Sequence, residues 1–275
     1  MSQSEAYILN ALQTPRPMRP IYDSIVDGHT TSVEIREDTG LTEGSFDQAL
    51  QGLQLLRLVG RENEAYYPAH LEWSTGDEDL DFRLTILYNL AKECTPDDWG
   101  KQAVALLAYE YLLQNDIEYF ENNDKNLYDS IDRWYRHEKG YDPQSSQGSI
   151  TLNQPKFVNW SRLLAYLGLI YKTTGRQHAV YPDDRIILTS IQLAANGNDY
   201  VVIHDYFDWL GKNLIPIGLT SDGQVPTPLS RVLYNLVRDG AIRLVERGDA
   251  GTVGLRRTPT RRGIDTELNT IEVLS

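Results

Sequence analysis

The stretch that decides the fold runs from Glu43 to Pro68 and reads EGSFDQALQGLQLLRLVGRENEAYYP. Phe46, Leu50 and Leu53 stand four and three residues apart, the spacing that places side chains on one face of a helix. A polar turn then separates the strand-like residues 58–61 from 65–68, which favours a β-hairpin. The stretch therefore predicts a helix, here 43–57, that packs on a core and is followed by a small two-stranded hairpin.

The same rhythm occurs three times along the chain. In each copy an apolar residue opens the helix, and further apolar residues follow 7 and 13 positions later. The three sets are Phe46, Leu53 and Val59; Phe157, Leu164 and Ile170; and Leu229, Leu236 and Ile242. Hairpins are predicted for 58–68, 168–182 and 241–256. The sequence thus predicts three helix–hairpin units.

A helix followed by a two-stranded wing resembles the second half of a winged helix-turn-helix, and the resemblance covers most of the chain. The expected fold class is mainly α with small β-wings, as tandem winged-helix domains around a helical middle block. The expected domains are 1–72 for winged helix 1, 80–184 for the helical block plus winged helix 2, and 185–275 for winged helix 3 with a basic C-terminal tail. Within them we expect helices over 95–113 and 200–213 and a loop over 142–149.

Composition places the chain among ordinary globular proteins, with 41% hydrophobic and 24% charged residues. No apolar run reaches the ~18 residues that a membrane helix needs, and the first residues lack the features of a signal peptide. The single cysteine, Cys94, cannot form an internal disulfide. We therefore expect a cytoplasmic protein with no membrane partner.

The net charge of −13 is spread unevenly. Residues 1–150 carry 12 Lys and Arg against 27 Asp and Glu, whereas residues 151–275 carry 14 against 12. Within 225–264 there are eight Arg and only three acidic residues. The two halves are thus expected to meet different partners, and the basic C-terminal part is the one suited to nucleic acid.

The sequence contains no motif for catalysis or for a cofactor. The five histidines show no paired metal-binding spacing, and there is no phosphate-binding loop, GxGxxG or GxSxG. Acidic pairs such as Asp183-Asp184 are explained as helix caps. We expect no catalytic residue, no metal site, no small-molecule cofactor and no enzymatic activity.

DNA binding by a winged helix places the recognition helix in the major groove and the wing on the backbone, with Arg and Lys contacting phosphates. The third copy offers the most candidates, and the second copy offers a smaller basic surface. The predicted DNA-binding residues are Arg231, Asn235, Arg238, Arg256, Arg257, Arg261 and Arg262, together with Lys156, Arg162, Lys172 and Arg176. The alternative for the C-terminal arginines is an ordinary solvated charge run that offsets acidic surface elsewhere on the protein.

The first recognition helix differs, because it carries no cation before Arg57. Its predicted exposed residues Glu43, Asp47, Gln48 and Gln51 include two carboxylates that would repel phosphates. We expect this face to bind a protein. The many tyrosines of the middle block suit either an interface or a core.

Three further segments carry a narrower resemblance: residues 157–169 (FVNWSRLLAYLGL), 228–240 from Pro228-Leu229-Ser230 to Gly240, and the terminal Ile271-Glu272-Val273-Leu274. They resemble DpdG-type accessory proteins of prokaryotic DNA-modification and anti-phage systems. The resemblance implies a non-catalytic, DNA-binding or scaffolding subunit of such a complex. Two alternatives remain: a dimeric winged-helix transcriptional regulator, and a protein-binding winged-helix subunit of an SMC-like complex.

Overall fold

The computed structural model describes residues 6–96, 98–217, 219–248, 251–256 and 267–274. Contacts divide the chain into two compact units. Unit 1 holds the residues up to Ala105 together with Asn122–Leu167, and unit 2 holds Leu106–Glu121 together with the chain from Gly168 onward. Both combine helices with small β-sheets.

The helices of the described residues are α1 Ile8–Ala11, α2 Met18–Val26, α3 Ser32–Thr39, α4 Glu43–Leu55, α5 Glu78–Lys92, α6 Val104–Gln114, α7 Lys125–Glu138, α8 Gln154–Leu167, α9 Asp184–Ala195, α10 Ile203–Asn213 and α11 Thr227–Arg238. The strands are β1 Val59–Glu62, β2 Ala65–Pro68, β3 Cys94–Thr95, β4 Asp98–Trp99, β5 Tyr119–Glu121, β6 Gln144–Ser145, β7 Gly148–Ser149, β8 Ile170–Lys172, β9 Gln177–Val180, β10 Tyr200–Val202, β11 Gln224–Val225, β12 Ile242–Val245, β13 Val253–Leu255, β14 Glu267–Leu268 and β15 Thr270–Val273.

In unit 1, four helices, α1 to α4, precede the first hairpin. Thr31 caps α3 in a capping box with Glu34, which satisfies backbone amides at the helix start. The hairpin β1–β2 forms as predicted, with Asn63 and Glu64 both at positive φ, as a tight two-residue hairpin turn requires. The amide of Tyr66 in β2 also donates to the carbonyl of Thr30 at 2.8 Å. This bond ties the hairpin to the chain just ahead of α3.

The short helix α1 is fixed in unit 1 by two amide side chains. Gln102 accepts from the amide of Ile8 at 2.7 Å, and the Asn159 side chain donates to the carbonyl of Leu9 at 2.9 Å. The indole of Trp160 donates to the carbonyl of Ala105 at 2.9 Å and is fully buried. Buried polar groups need such partners, so these bonds determine where α1 and α8 lie.

Two local predictions in unit 1 are wrong. Residues 95–113 do not form one helix, because Cys94–Thr95 and Asp98–Trp99 pair as a small hairpin and α6 begins only at Val104. The predicted loop over 142–149 contains the hairpin β6–β7, where the Ser145 hydroxyl donates to the carbonyl of Gly148. In both places a short turn satisfies the backbone locally, which outweighs the helix or loop tendency of the composition.

The described part of unit 2 contains three three-stranded sheets, and two of them have the same order of strands. In one of these two, β9 lies between β5 and β8, and in the other, β15 lies between β10 and β12. In each of these two sheets the central strand is the last in chain order, and it pairs antiparallel with both neighbours. The predicted hairpin 168–182 is confirmed by β8–β9.

The third predicted hairpin, 241–256, is wrong. Strand β12 pairs with β15, while β13 pairs with β11 and β14 in a separate sheet. Ile271 of β15 is fully buried and opposes Leu244 of β12, so the segment Thr270–Val273 is part of the core of unit 2. The predicted helix 200–213 also begins late, because Val201 and Val202 are β-branched and join β15 as β10.

Candidate nucleic-acid and protein interfaces

On α11, the predicted DNA-reading side chains are held by groups of unit 2. Arg231 forms an ion pair with Glu118, and its side chain is 30% exposed. The Asn235 side chain donates to the Tyr181 hydroxyl, which donates to Asp184 at 2.6 Å. Burial and the neighbouring Asp184 carboxylate raise the pKa of Tyr181, so the hydroxyl stays protonated as a donor. Any phosphate that approaches Arg231 therefore competes with the carboxylate of Glu118.

Arg256, which lies near the start of α11, is also held by carboxylates. Its guanidinium lies 3.2 Å from Asp116 and 3.0 Å from Asp222. Asp116 also accepts from the amide and hydroxyl of Thr227, at 2.6 and 2.9 Å. A hydrogen bond from Thr220, with a smaller contribution from Arg256, lowers the pKa of Asp222. This network anchors the first turn of α11, and the Arg256 side chain is 32% exposed.

Arg238, at the end of α11, is the most exposed of the predicted α11 side chains, at 61%, and pairs with its neighbour Asp239 at 2.7 Å. Such a pair on an exposed surface contributes little energy, so the guanidinium can exchange Asp239 for another anion. The predicted Arg257, Arg261 and Arg262 lie outside the described residues.

The hairpin β8–β9 carries the exposed cations Lys172 and Arg176. Lys172 ends β8, and Arg176 lies in the turn directly ahead of β9. Thr173 and Gln177 close the turn, with the Thr173 amide donating to the Gln177 carbonyl at 3.0 Å. The hairpin thus holds two cations at an ordered, solvent-facing position of unit 2.

Lys156 and Arg162 lie on α8, in unit 1. The Lys156 ammonium donates to the carbonyl of Thr151 at 2.7 Å, and partial burial lowers its pKa. Arg162 is exposed and donates to the carbonyl of Gln13 at 3.3 Å. The predicted DNA-binding set is therefore divided between the two units, with its other described members in unit 2.

The predicted protein-binding face lies on α4. Glu43, Asp47 and Gln51 are exposed at successive turns of the helix, and Gln48 beside them is half-buried. Phe46, Leu50 and Leu53 on the opposite side are buried, as their spacing predicts. The helix consequently presents a polar, partly acidic stripe to solvent.

A groove of about 1,020 Å³ runs beside this stripe, within unit 1. Asp47, Gln51 and Gln54 of α4 form one wall, and Arg57, which pairs with Glu93, lies in the lining. Other lining residues come from far along the sequence: Lys101, Gln102, Ser145 and Ser146. These residues could not be predicted, because the helical spacing of apolar residues marks α4 and no sequence pattern marks its distant neighbours.

The described part of the chain contains no group of three or more His, Cys, Asp or Glu side chains placed to hold a metal ion. Cys94 is half-buried, and its thiol lies 3.7 Å from the carbonyl of Ala103. Among the residues with described structure, no helix has the length and apolarity that crossing a membrane requires.

No protein-family model and no curated protein matches this chain. Two solved structures are similar to it. One, described as "Magnesium ion-bound SspB crystal structure", is 10% identical and aligns over 93% of this chain and 79% of its own, with a TM-score of 0.43. The other, described as "SspB crystal structure", is 10% identical and aligns over 98% of this chain and 85% of its own, with a TM-score of 0.44. Similarity at this level carries no argument about function.

Proposed function

We propose that this chain is a tandem winged-helix protein that acts as a non-catalytic, DNA-binding and scaffolding subunit of a prokaryotic DNA-modification or anti-phage complex. Unit 2 binds DNA, and the α4 stripe of unit 1 binds a protein partner. The observation that carries the proposal is the repeated strand order β5-β9-β8 and β10-β15-β12. The proposal assigns the chain no reaction.

The repeated strand order supports the winged-helix assignment because the two sheets share the way in which their strands are connected, as well as the number of strands. In chain order, β5 precedes α7, α8 and the hairpin β8–β9, and β10 precedes α10, α11 and the pair β12 and β15. In each case the last strand pairs with the strand ahead of the helices. The bond from Tyr66 to Thr30 is the counterpart ahead of α3 and α4. A strand, two helices and a wing that closes onto that strand are typical of a winged helix.

The exposed cations of the hairpin β8–β9 and of the end of α11 support DNA as the partner of unit 2. Lys172 and Arg176 of the wing β8–β9 and Arg238 of α11 are exposed. Wings and the ends of recognition helices are where such proteins contact the phosphate backbone. Because Arg231 and Arg256 are held by carboxylates, the wing supplies more of the contact than α11 does.

The protein-binding part of the proposal depends on charge. Unit 1 contains 23 Asp and Glu against 14 Lys and Arg, and the exposed α4 stripe includes Glu43 and Asp47. A helix with this composition repels phosphate and suits a partner with exposed donors. The groove beside the stripe enlarges the surface available to such a partner.

The test measures binding of a fluorescent duplex of about 20 base pairs to the full chain across a series of salt concentrations. We expect the double variant Lys172→Ala, Arg176→Ala to weaken binding and to reduce the salt slope by about 0.9 for each phosphate that is no longer neutralised. The matched control, Lys125→Ala with Arg133→Ala, removes two exposed cations of α7 and should leave both quantities unchanged.

The result separates the alternatives. Weak binding with little sequence preference supports the scaffold, whereas selective binding to half-sites about one helical turn apart supports the regulator. Absence of duplex binding by the wild-type chain would contradict DNA binding and favour the purely protein-binding subunit.

A further inference from the structure

The groove beside α4 lies wholly within unit 1 and carries opposite charges towards its two ends. Asp47, Gln51 and Gln54 line it at successive turns of α4. Arg57, just after the helix, and Arg61 of β1 line it beyond the last turn. One wall therefore runs from a carboxylate, past two amides, to two guanidinium groups.

The two arginines form ion pairs that leave them accessible to a ligand. Arg57 pairs with Glu93, but its side chain is 66% exposed whereas that of Glu93 is 11% exposed. Arg61 pairs with Glu64 at 3.3 Å, and the Glu64 side chain is 91% exposed. A pair as exposed as the second contributes little energy, so Arg61 can exchange Glu64 for another anion.

Lys101 also lines the groove, and it lies at the same end as the arginines. The amides on either side of it both donate to Glu93: Gly100 to the carbonyl at 2.8 Å and Gln102 to the carboxylate at 3.5 Å. A side chain at Gly100 would meet the Glu93 carboxylate at 1.8 Å, so this close approach requires a glycine. Three cations of the lining thus surround one carboxylate, which makes this end of the groove attractive to an anion.

The dimensions of the groove suit a short stretch of extended chain. With a rise of about 1.5 Å per residue, Asp47 and Arg57 are separated by roughly 15 Å, which an extended peptide spans in four or five residues. The side-chain amides of Gln51 and Gln54, between the charged ends, can each donate to and accept from a peptide backbone. Pockets for small organic ligands are mostly apolar, whereas this groove of about 1,020 Å³ is lined largely by polar residues.

We propose that the groove binds an extended segment of a partner protein. A basic side chain of the segment lies at Asp47, and an acidic side chain four or five residues away lies among Arg57, Arg61 and Lys101. The inference rests on the proposed function, since it specifies the peptide chemistry that the protein-binding part of unit 1 recognises. The charges determine which end of the segment lies at which end of the groove, and they allow either chain direction.

The test uses fluorescent peptides of about seven residues with blocked termini, by anisotropy on the full chain at low salt. Two mixed-charge peptides carry a lysine and a glutamate four residues apart, one in each order, and a neutral peptide has glutamine at both positions. We expect one of the mixed-charge peptides to bind about tenfold more tightly than the neutral peptide, because it forms two additional ion pairs. The difference should shrink as salt is added.

Substitutions at the two ends of the groove show where the peptide lies. Asp47→Asn and Arg61→Gln should each weaken binding of the preferred mixed-charge peptide about threefold and leave the neutral peptide unaffected. The matched controls are Glu43→Gln, on α4, and Arg16→Gln, at exposed positions away from the described lining. Asp47→Lys should reverse the preference, so that a peptide with two glutamates binds more tightly than the mixed-charge peptide.

The outcomes distinguish this inference from the proposed function. Equal losses for Glu43→Gln and Asp47→Asn would locate the peptide on the outer stripe of α4, which contradicts the groove and leaves a protein-binding helix. The inference is also overturned if neither mixed-charge peptide binds more tightly than the neutral one, if Asp47→Lys keeps the original preference, or if a DNA duplex displaces the peptide. Duplex binding by the same samples reports separately on unit 2, and thermal melting confirms that every variant is folded.

Discussion

His178 occupies the buried side of the central strand β9 of the sheet β5-β9-β8. Its ring stacks on Phe120 with the centroids 5.4 Å apart, and one ring nitrogen lies 3.1 Å from the carbonyl of Arg176. Burial lowers the pKa of His178 below the ordinary value of 6.5, and the nearby Lys172 lowers it further. The folded protein therefore favours the neutral imidazole more than the unfolded chain does.

This environment predicts a loss of stability in mild acid. Below about pH 6.5 the unfolded chain takes up a proton on His178 more readily than the folded chain, so the free energy of unfolding falls as the pH falls through that range. Urea unfolding at pH 7 and pH 5 measures the difference. His178→Phe keeps the stacked ring and should reduce the dependence on pH. His204→Gln, at an exposed position of α10, should retain it, and equal behaviour of the two variants would contradict the assignment.

At the scale of elements, local patterns were predictable and distant pairings were not. The hairpins β1–β2 and β8–β9 follow their helices directly, and the spacing of their apolar residues was sufficient to predict them. The partner of β12 lies beyond β13 and β14, and Val253 and Leu255 of β13 show the same alternation of buried residues as a hairpin strand. Val253 and Leu255 are both buried, but their strand pairs with β11 and β14 and not with β12. Sequence periodicity reports burial and does not report which strand is the partner.

The pairing of β12 with β15 predicts a large effect of Ile271. Ile271→Ala removes a fully buried side chain from the central strand and should destabilise unit 2 by about 2–5 kcal/mol in urea unfolding. Val273→Ala, on the same strand but half-buried, should cost less. If Ile271→Ala unfolds like the wild type, the C-terminal segment is not part of the sheet.

At the scale of the whole molecule, the division into two units groups the charged residues differently from the two halves of the sequence. The segment 106–121 belongs to unit 2 and carries four acidic residues, among them Asp116 and Glu118. These two carboxylates hold Arg256 and Arg231. The sequence identified both arginines but not their partners, because more than a hundred residues separate the members of each pair. We therefore propose that the hairpin β8–β9, more than α11, contacts DNA.

The most direct test of this account is hydrogen–deuterium exchange of the full chain with and without a saturating DNA duplex. Binding through unit 2 predicts slower exchange of backbone amides over residues 168–182, with exchange over α4 unchanged. Slower exchange over α4 alone, or no change over 168–182 under conditions where the duplex is bound, would contradict the account.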